Sequence, residues 1–538
     1  MPQHASSGSG SAAAAAWLRR GCRTALQSAL QSALQSAMRS AMRSALLAAT
    51  LALAACAQAP PAPPLPPSYA VQGTEGTALG RLAAQQLGTA AAGISAVHPL
   101  PLGLESLAAR LALAERAERT LDLQYYIWRP DASGEVLAAA LWRAAERGVR
   151  VRLLLDDWGA RPSEDDLGLL AAHPNIEVRL FNPLGLRGAP LLAMLFDFER
   201  ANRRMHNKAM MADNQAAIVG GRNIGDEYFE RRPELEFGDF ELLAFGPVVR
   251  GLSAGFDAYW NSVGLHRVAP SARSTPSTSP PAQARARDAA ATGVAGGLDR
   301  GTLRFYLGPA QALQDPPGKI DPQAQTPDSA VLGQLIAQAV GGVERELLLV
   351  SPYFVPGAGG VEQFRALRER GVRVRIITNS LSATDVVAVH AGYSGYRRAL
   401  IEAGVELFEI RADGPRQRRG GRIGASSGSS RLSLHAKVIV ADRRSTFVGS
   451  MNVDPRSVRL NTENGVVVHS AELASDIAAG VDGALAESAW RVVLHEGALR
   501  WVARDGEREV VADQEPQTGW WLRLRVRLLS WLPIEGLL

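Results

Sequence analysis

Lysine is almost missing from this chain of 538 residues: three occur, at positions 208, 319 and 437, while the other cationic side chains are arginines. Cysteine is rarer still, with only Cys22 and Cys56, so a mature chain beginning at Cys56 would hold one thiol. That excludes disulfide stapling and thiol-metal chemistry. Acid is absent from the first 74 residues, Glu75 being the first. Beyond the N-terminal region no apolar run is long enough for a transmembrane helix, and no glycine-rich Walker loop for a nucleotide occurs. A net charge of +5 suits an anionic partner, phospholipid or nucleic acid, but is too small to choose between them.

The acid-free N-terminus places Arg19, Arg20, Arg23, Arg39 and Arg43 ahead of the run ALLAATLALAAC. A basic region followed by a short apolar one has the layout of an export signal, expected over residues 1–55. Its end, LAAC, resembles the bacterial lipoprotein box, in which the cysteine, here Cys56, becomes the acylated first residue. Ala57 and Gln58 lack the aspartate that holds such proteins at the inner membrane. The expected location is therefore the periplasmic side of the cell envelope, lipid-anchored, with the outer membrane favoured. The repeat QSALQSALQSAMRSAMRSAL precedes this signal, and translation is expected to start at Met38 or Met42. Residues 56–75 are proline-rich and read as an extended spacer.

The folded part repeats itself. MHNKAMMADNQAAIVGGRN, residues 205 to 223, and LSLHAKVIVADRRSTFVGSMN, residues 432 to 452, share one order: His206, Lys208, Asp213, Gly220 and Asn223 match His435, Lys437, Asp442, Gly449 and Asn452. Two of the three lysines thus follow a histidine by two positions. AERGVRVRLLLDDWG and RERGVRVRIITNSLS form a second matching pair. Each copy reads as an amphipathic helix ending at glycine, then a buried strand, an alternation that predicts helices flanking a mostly parallel sheet. Two like α/β domains related by a pseudo-two-fold axis are expected, over residues 76–267 and 301–510. Between them, residues 268–300 have the composition of a disordered linker. The arginine-bearing insert 413–431 precedes the second motif, and residues 511–538 form a Trp/Arg-rich tail whose alternating Arg523, Arg525 and Arg527 suggest a strand.

Side chains two apart on a strand share a face, so each histidine and lysine face one side while Asp213 and Asp442 have opposite parity and are expected to brace the turn. Two such sets meeting at the pseudo-dyad would supply two imidazoles, two ammonium groups and two asparagine amides around one anion, and a phosphate fits. Lysine charge and asparagine donors can stabilise phosphoryl oxygens, one histidine can attack phosphorus and the other can protonate the leaving alcohol. His206, Lys208, Asp213, His435, Lys437 and Asp442 are the candidate catalytic residues. No metal or other cofactor is required by this scheme.

These strings resemble the paired HKD motifs of the phospholipase D superfamily. LDLQYYIW, GVRVRLLLDD, SPYFVP and the ending WLPIE resemble its bacterial cardiolipin synthase branch, particularly the form using phosphatidylethanolamine. The resemblance implies two phospholipase D-like domains, a phosphatidyl-histidine intermediate, and transfer to the hydroxyl of phosphatidylglycerol at a membrane surface. It also implies an acid shortly after each motif that orients an imidazole: Glu463 fits in the second half and Asp239 is the candidate in the first. Asn223 and Asn452 would bind phosphate. One departure is Gly221, where the family commonly has serine and the second copy keeps Ser450. Hydrolytic phospholipase D and a phosphodiesterase or nuclease are the alternatives. The lipid box and the lack of a nucleic-acid-binding module argue against nucleic acid.

Overall fold

The computed structural model describes residues 35–46, 65–184, 198–229, 235–271, 278–321, 331–413, 431–532 and 535–537. Residues 35–46 form a helix within a separate unit. Cys56 and most of the 413–431 insert lie outside the described residues.

In the first half of the body the strands are β1 (Ile94–Leu100), β2 (Thr120–Tyr125), β3 (Arg150–Asp156), β4 (Ile176–Phe181), β5 (Ala209–Ala212), β6 (Ala216–Gly220), β7 (Leu235–Gly238), β8 (Glu241–Phe245) and β9 (His266–Arg267). In the second they are β10 (Tyr306–Gln314), β11 (Glu346–Val350), β12 (Arg373–Asn379), β13 (Glu406–Ile410), β14 (Arg431–Leu434), β15 (Val438–Ala441), β16 (Ser445–Gly449), β17 (Asn464–His469), β18 (Ala489–His495), β19 (Ala498–Asp505) and β20 (Arg508–Ala512). Pairing runs β9-β4-β3-β2-β5-β6-β8-β1 in one half and β20-β19-β18-β13-β12-β11-β15-β16-β17-β10 in the other, and β1 pairs with β10 to join them. The repeat is therefore real at the level of strand order. The expected mostly parallel sheet is instead mixed: β2-β3-β4 and β11-β12-β13 are parallel, but each motif hairpin enters antiparallel to the central strand. A short hairpin needs no helical crossover, and crossovers are what make a sheet parallel.

Alternate faces of the strands go to different cores. In β5, Met210 and Ala212 pack with the helices of the first half, while Ala209 and Met211 join a shared layer with Val438, Val440, Val448 and Val466 of the second. The two sheets thus enclose a common core, and burying a side chain the size of valine in it contributes about 1.5–3 kcal/mol. That layer fixes one motif against the other.

Two sequence expectations change. Within 268–300, Pro280–Ala291 and Val294–Arg300 are helices. Ser279 caps the first through the Ala282 amide, prolines occupy its first turn, and Ala282, Arg285 and Ala289 are buried. Arg285 pairs with Asp226 at 3.0 Å. In the tail, Trp520–Leu529 is a helix, because Leu522, Val526 and Leu529 at i, i+4 and i+7 pack inward and outweigh the arginine alternation. Among the described residues no helix is long and apolar enough to cross a membrane.

Candidate active site

Both motifs begin just ahead of the strand that follows them. Asp213 and Asn214, like Asp442 and Arg443, have positive φ and open three-residue hairpin loops, with Gln215 N–H donating to the Ala212 carbonyl and Arg444 N–H to the Ala441 carbonyl. The Asp213 carboxylate accepts from the amides of Glu118, Arg119 and Thr120, the last two at 2.8 and 2.9 Å. Asp442 does the same with Glu344, Arg345 and Glu346. Both aspartates therefore anchor the far end of the hairpin to the start of the neighbouring parallel strand.

At the near end the halves exchange partners. His206 N–H donates to the Thr462 carbonyl and Thr462 N–H to the Arg204 carbonyl; β14, leading into His435, pairs in parallel with β7, and His435 N–H donates to the Gly238 carbonyl at 2.7 Å. Each histidine is thereby set beside the acid of the opposite half. Nδ1 of His206 lies 2.8 Å from Oε2 of Glu463, and Nδ1 of His435 lies 2.6 Å from Oδ2 of Asp239. A carboxylate accepting at Nδ1 leaves Nε2 of each ring as the reactive nitrogen.

The lysines curl back on their own motifs. Lys208 Nζ donates to the His206 carbonyl at 2.6 Å and Lys437 Nζ to that of His435 at 2.5 Å. All four residues are nearly buried, none above 9% exposure. Burial, then the fields of Lys208, Lys437 and His435, hold the His206 imidazolium well below its ordinary pKa. His435 is also lowered, by burial and Lys437, against the opposing pull of Asp239. Burial brings Lys437 down to about 8 and Lys208 well below its usual value. Lys208 feels Glu463 and Lys437 of the other half, Lys437 feels Asp239, and His206 feels Lys437 and His435, so the two motifs form one electrostatic unit.

The two acids differ. Burial would raise Asp239, but His435, Lys437 and Arg222 hold it well below the usual carboxylate range. Burial wins at Glu463, which is raised despite Lys208 and a hydrogen bond from Ser450. The Gly221 departure has its cause here: a Cβ at 221 would fall on the Asp239 carboxylate. In the other half the longer Glu463 stands off far enough for Ser450 Oγ to donate to it at 2.5 Å.

The asparagines are not equivalent either. Asn223 accepts from the Ile127 amide and donates to Tyr228 Oη at 2.9 Å, while Asn452 Oδ1 is buried without a partner. Sequence reasoning missed the tyrosines: Tyr126 meets His206 edge-on at 5.4 Å and Tyr228 meets His435 at 5.3 Å. It also missed Asn464, whose Oδ1 accepts from the Lys208 amide at 2.9 Å. The third lysine was a usable signal. Lys319, fully buried, pairs with Asp315 at 2.7 Å, and Asp315 Oδ2 accepts the Glu463 amide at 3.1 Å.

The sequence model described as "Cardiolipin synthase, PLD-like domain" matches residues 111–238 and 332–483, one stretch in each half. Cardiolipin synthase C of Escherichia coli (strain K12) is 40% identical over 458 residues, 82% of this chain and 96% of that protein. The chain belongs to the cardiolipin synthase family of the phospholipase D superfamily. A cardiolipin synthase of Geobacillus kaustophilus (strain HTA426) is 28% identical over 67% of the chain and 60% of its own length. In fold, this member of the family resembles the crystal structure of phosphatidylserine synthase from Haemophilus influenzae Rd KW20, at TM-score 0.53 and 13% identity, over 85% of this chain and 99% of that one. Family membership agrees with the enzyme class read from the motifs, a superfamily phosphatidyltransferase.

Proposed function

We propose that the protein is a cardiolipin synthase that transfers a phosphatidyl group between phospholipids through a phosphohistidine, with the domains 76–267 and 301–510 contributing one catalytic set each. The observation that carries this reading is the crossed pairing of His206 with Glu463 and His435 with Asp239, next to both motif lysines.

His206 is assigned as the nucleophile, because burial and the neighbouring cations keep its ring neutral and Glu463 orients Nδ1–H, leaving Nε2 unprotonated. His435 sits on an ionised Asp239, which opposes the lowering of its pKa by burial and Lys437, and it is assigned the role of proton donor. In the first step Nε2 of His206 attacks phosphorus, the bond to the leaving headgroup oxygen breaks, and His435 supplies its proton. In the second, the hydroxyl of an acceptor phosphatidylglycerol gives its proton to His435 and attacks the same phosphorus, freeing His206. Lys208 and Lys437, with Asn452, stabilise the phosphoryl oxygens. One phosphodiester is exchanged for another, so no nucleotide is consumed. The donor is phosphatidylglycerol or phosphatidylethanolamine, the working location is the periplasmic membrane surface, and Cys56 supplies a lipid tether.

The test is to give purified protein phosphatidylglycerol, phosphatidylethanolamine and single-stranded DNA, singly and in combination, and identify products. Cardiolipin is expected. Phosphatidic acid alone would replace transfer by hydrolysis, and DNA fragments alone would overturn the reading.

A further inference from the structure

The C-terminal helix Trp520–Leu529 has two apolar faces, where packing on the body uses one. Leu522, Val526 and Leu529 lie against Leu381, Val387 and Ala391. Trp520, Trp521, Leu524 and Leu528, continued by Trp531 and Leu532, remain in solvent, the three indoles at 59, 63 and 73% exposure. At about 100° per residue the four on the helix fall in one arc roughly 100° wide, and Trp531 and Leu532 follow in the turn after it. Arg525 borders one edge of that arc, Arg523 and Arg527 the other. Between Glu515 and Glu535 the chain has no acid.

We propose that this outer face is a docking surface for an anionic phospholipid bilayer, the helix lying flat at the headgroup level. The proposal rests on the reading of the substrates as membrane phospholipids and adds the element that presents them. Tryptophans bring an apolar ring and a polar N–H to the boundary, and arginines on both edges of the apolar arc reach phosphates on either side. A protein partner would bury that arc against matching acids on two flanks; a bilayer supplies anions in every direction.

The helix is held ready. Glu515, just before it, accepts from Arg397 at 2.5 Å and lies 3.3 Å from Nε2 of His390, so the element is folded before any contact with lipid and little ordering remains to be done on docking. It packs on helix Val387–Ser394, which begins two residues after Asp385. Asp385 accepts from Tyr353 at 2.7 Å and contributes to the field at Lys437. The turn Glu535–Leu537 packs on helix Pro455–Arg459, which starts three residues after Asn452. The docking helix, through its inner face, and the turn that follows it therefore each pack on an element that leads into the site.

The experiment uses the full chain carrying Cys56→Ala, to remove the lipid tether, sedimented with vesicles of phosphatidylglycerol in phosphatidylcholine and with phosphatidylcholine alone. Binding to the anionic vesicles is expected, with tryptophan fluorescence quenched by brominated lipid. The triple variant Trp520→Ala, Trp521→Ala, Trp531→Ala and the double variant Arg525→Glu, Arg527→Glu should each bind about ten-fold or more weakly. Turnover of a short-chain phosphatidylglycerol kept below its micelle concentration should be unchanged in both. Parental binding in either variant, absence of quenching, or parallel loss of monomer turnover would overturn the proposal. Face-dependent binding by a protein that turns over no lipid would uphold docking and remove the functional reading instead.

Discussion

Glu463 stands in the second half of the chain, yet its carboxylate holds Nδ1 of His206, in the first, at 2.8 Å. Asp239 returns the exchange to His435. The backbone causes this: residue 462 pairs with the strand entering one motif, and β7 with the strand entering the other.

Replacing Glu463 by Gln should lower kcat about 10³-fold with the circular dichroism spectrum intact, since the amide fits the same space but cannot steady a positive ring. Asp239→Asn should do likewise. A variant whose kcat stayed within a few-fold of the parent would show that the carboxylates are not needed to orient the imidazoles.

His435→Ala and His206→Ala should behave differently with a phosphodiester carrying an activated leaving group such as p-nitrophenol. The first needs no acid to form the intermediate but lacks the base to discharge it, so a phosphorylated His206 should accumulate and be seen by mass spectrometry. The second should give no adduct. An adduct on His435 would reverse the assignment.

Lys437, lowered to about 8, should set an alkaline limb in kcat/KM near that pH, because its ammonium is lost there. The stability effect runs the other way. Below about 8 the lysine is protonated folded and unfolded, and the cost of burying its charge is fully felt; between about 8 and the ordinary 10.5 only the unfolded chain holds the proton, so this group's contribution becomes more favourable as pH rises. Activity and denaturation midpoint, measured over the same pH range, should diverge. An alkaline limb unmoved by Lys437→Met in its residual activity would assign the limb elsewhere.

Gly221→Ser should cost about 10²-fold in kcat, by pushing Asp239 off His435. Ser450→Gly should cost about ten-fold, the loss of one charge-assisted hydrogen bond. Equal activity of Gly221→Ser and the parent would mean that the first half accommodates the hydroxyl after all.

Lys319→Met leaves Asp315 buried and unpaired and should destabilise the fold by about 3 kcal/mol, read from the urea midpoint. Adding Asp315→Asn should recover part of that loss. No recovery would place the effect in packing.

Much of the site was legible because its chemistry is written twice. The repeated histidine and lysine spacing identified the groups that converge; Asp213 and Asp442 do stand apart from them, at the hairpin ends, but because the whole of β5 or β15 lies between and not through parity along one strand. The crossing of Glu463 and Asp239 was not legible, since closeness along the chain says nothing about which imidazole an acid will meet. Tyr126 and Tyr228 were hidden for the same reason. In the fold, the likeness of the two halves followed from the repeat, but strand direction did not: a hairpin entering beside β2 or β11 leaves the same alternating apolar pattern as a parallel strand. The tail was misread because arginines two apart draw attention to a period of two, while Leu522, Val526 and Leu529 carry the period that packs.

The swapped acids have a consequence for the history of the chain. On the proposed mechanism neither repeat holds a working unit of its own, so the two copies cannot drift separately: a change in the acid of one is felt at the ring of the other. Cut between the repeats, the gene would yield two polypeptides, each inert until it found its complement.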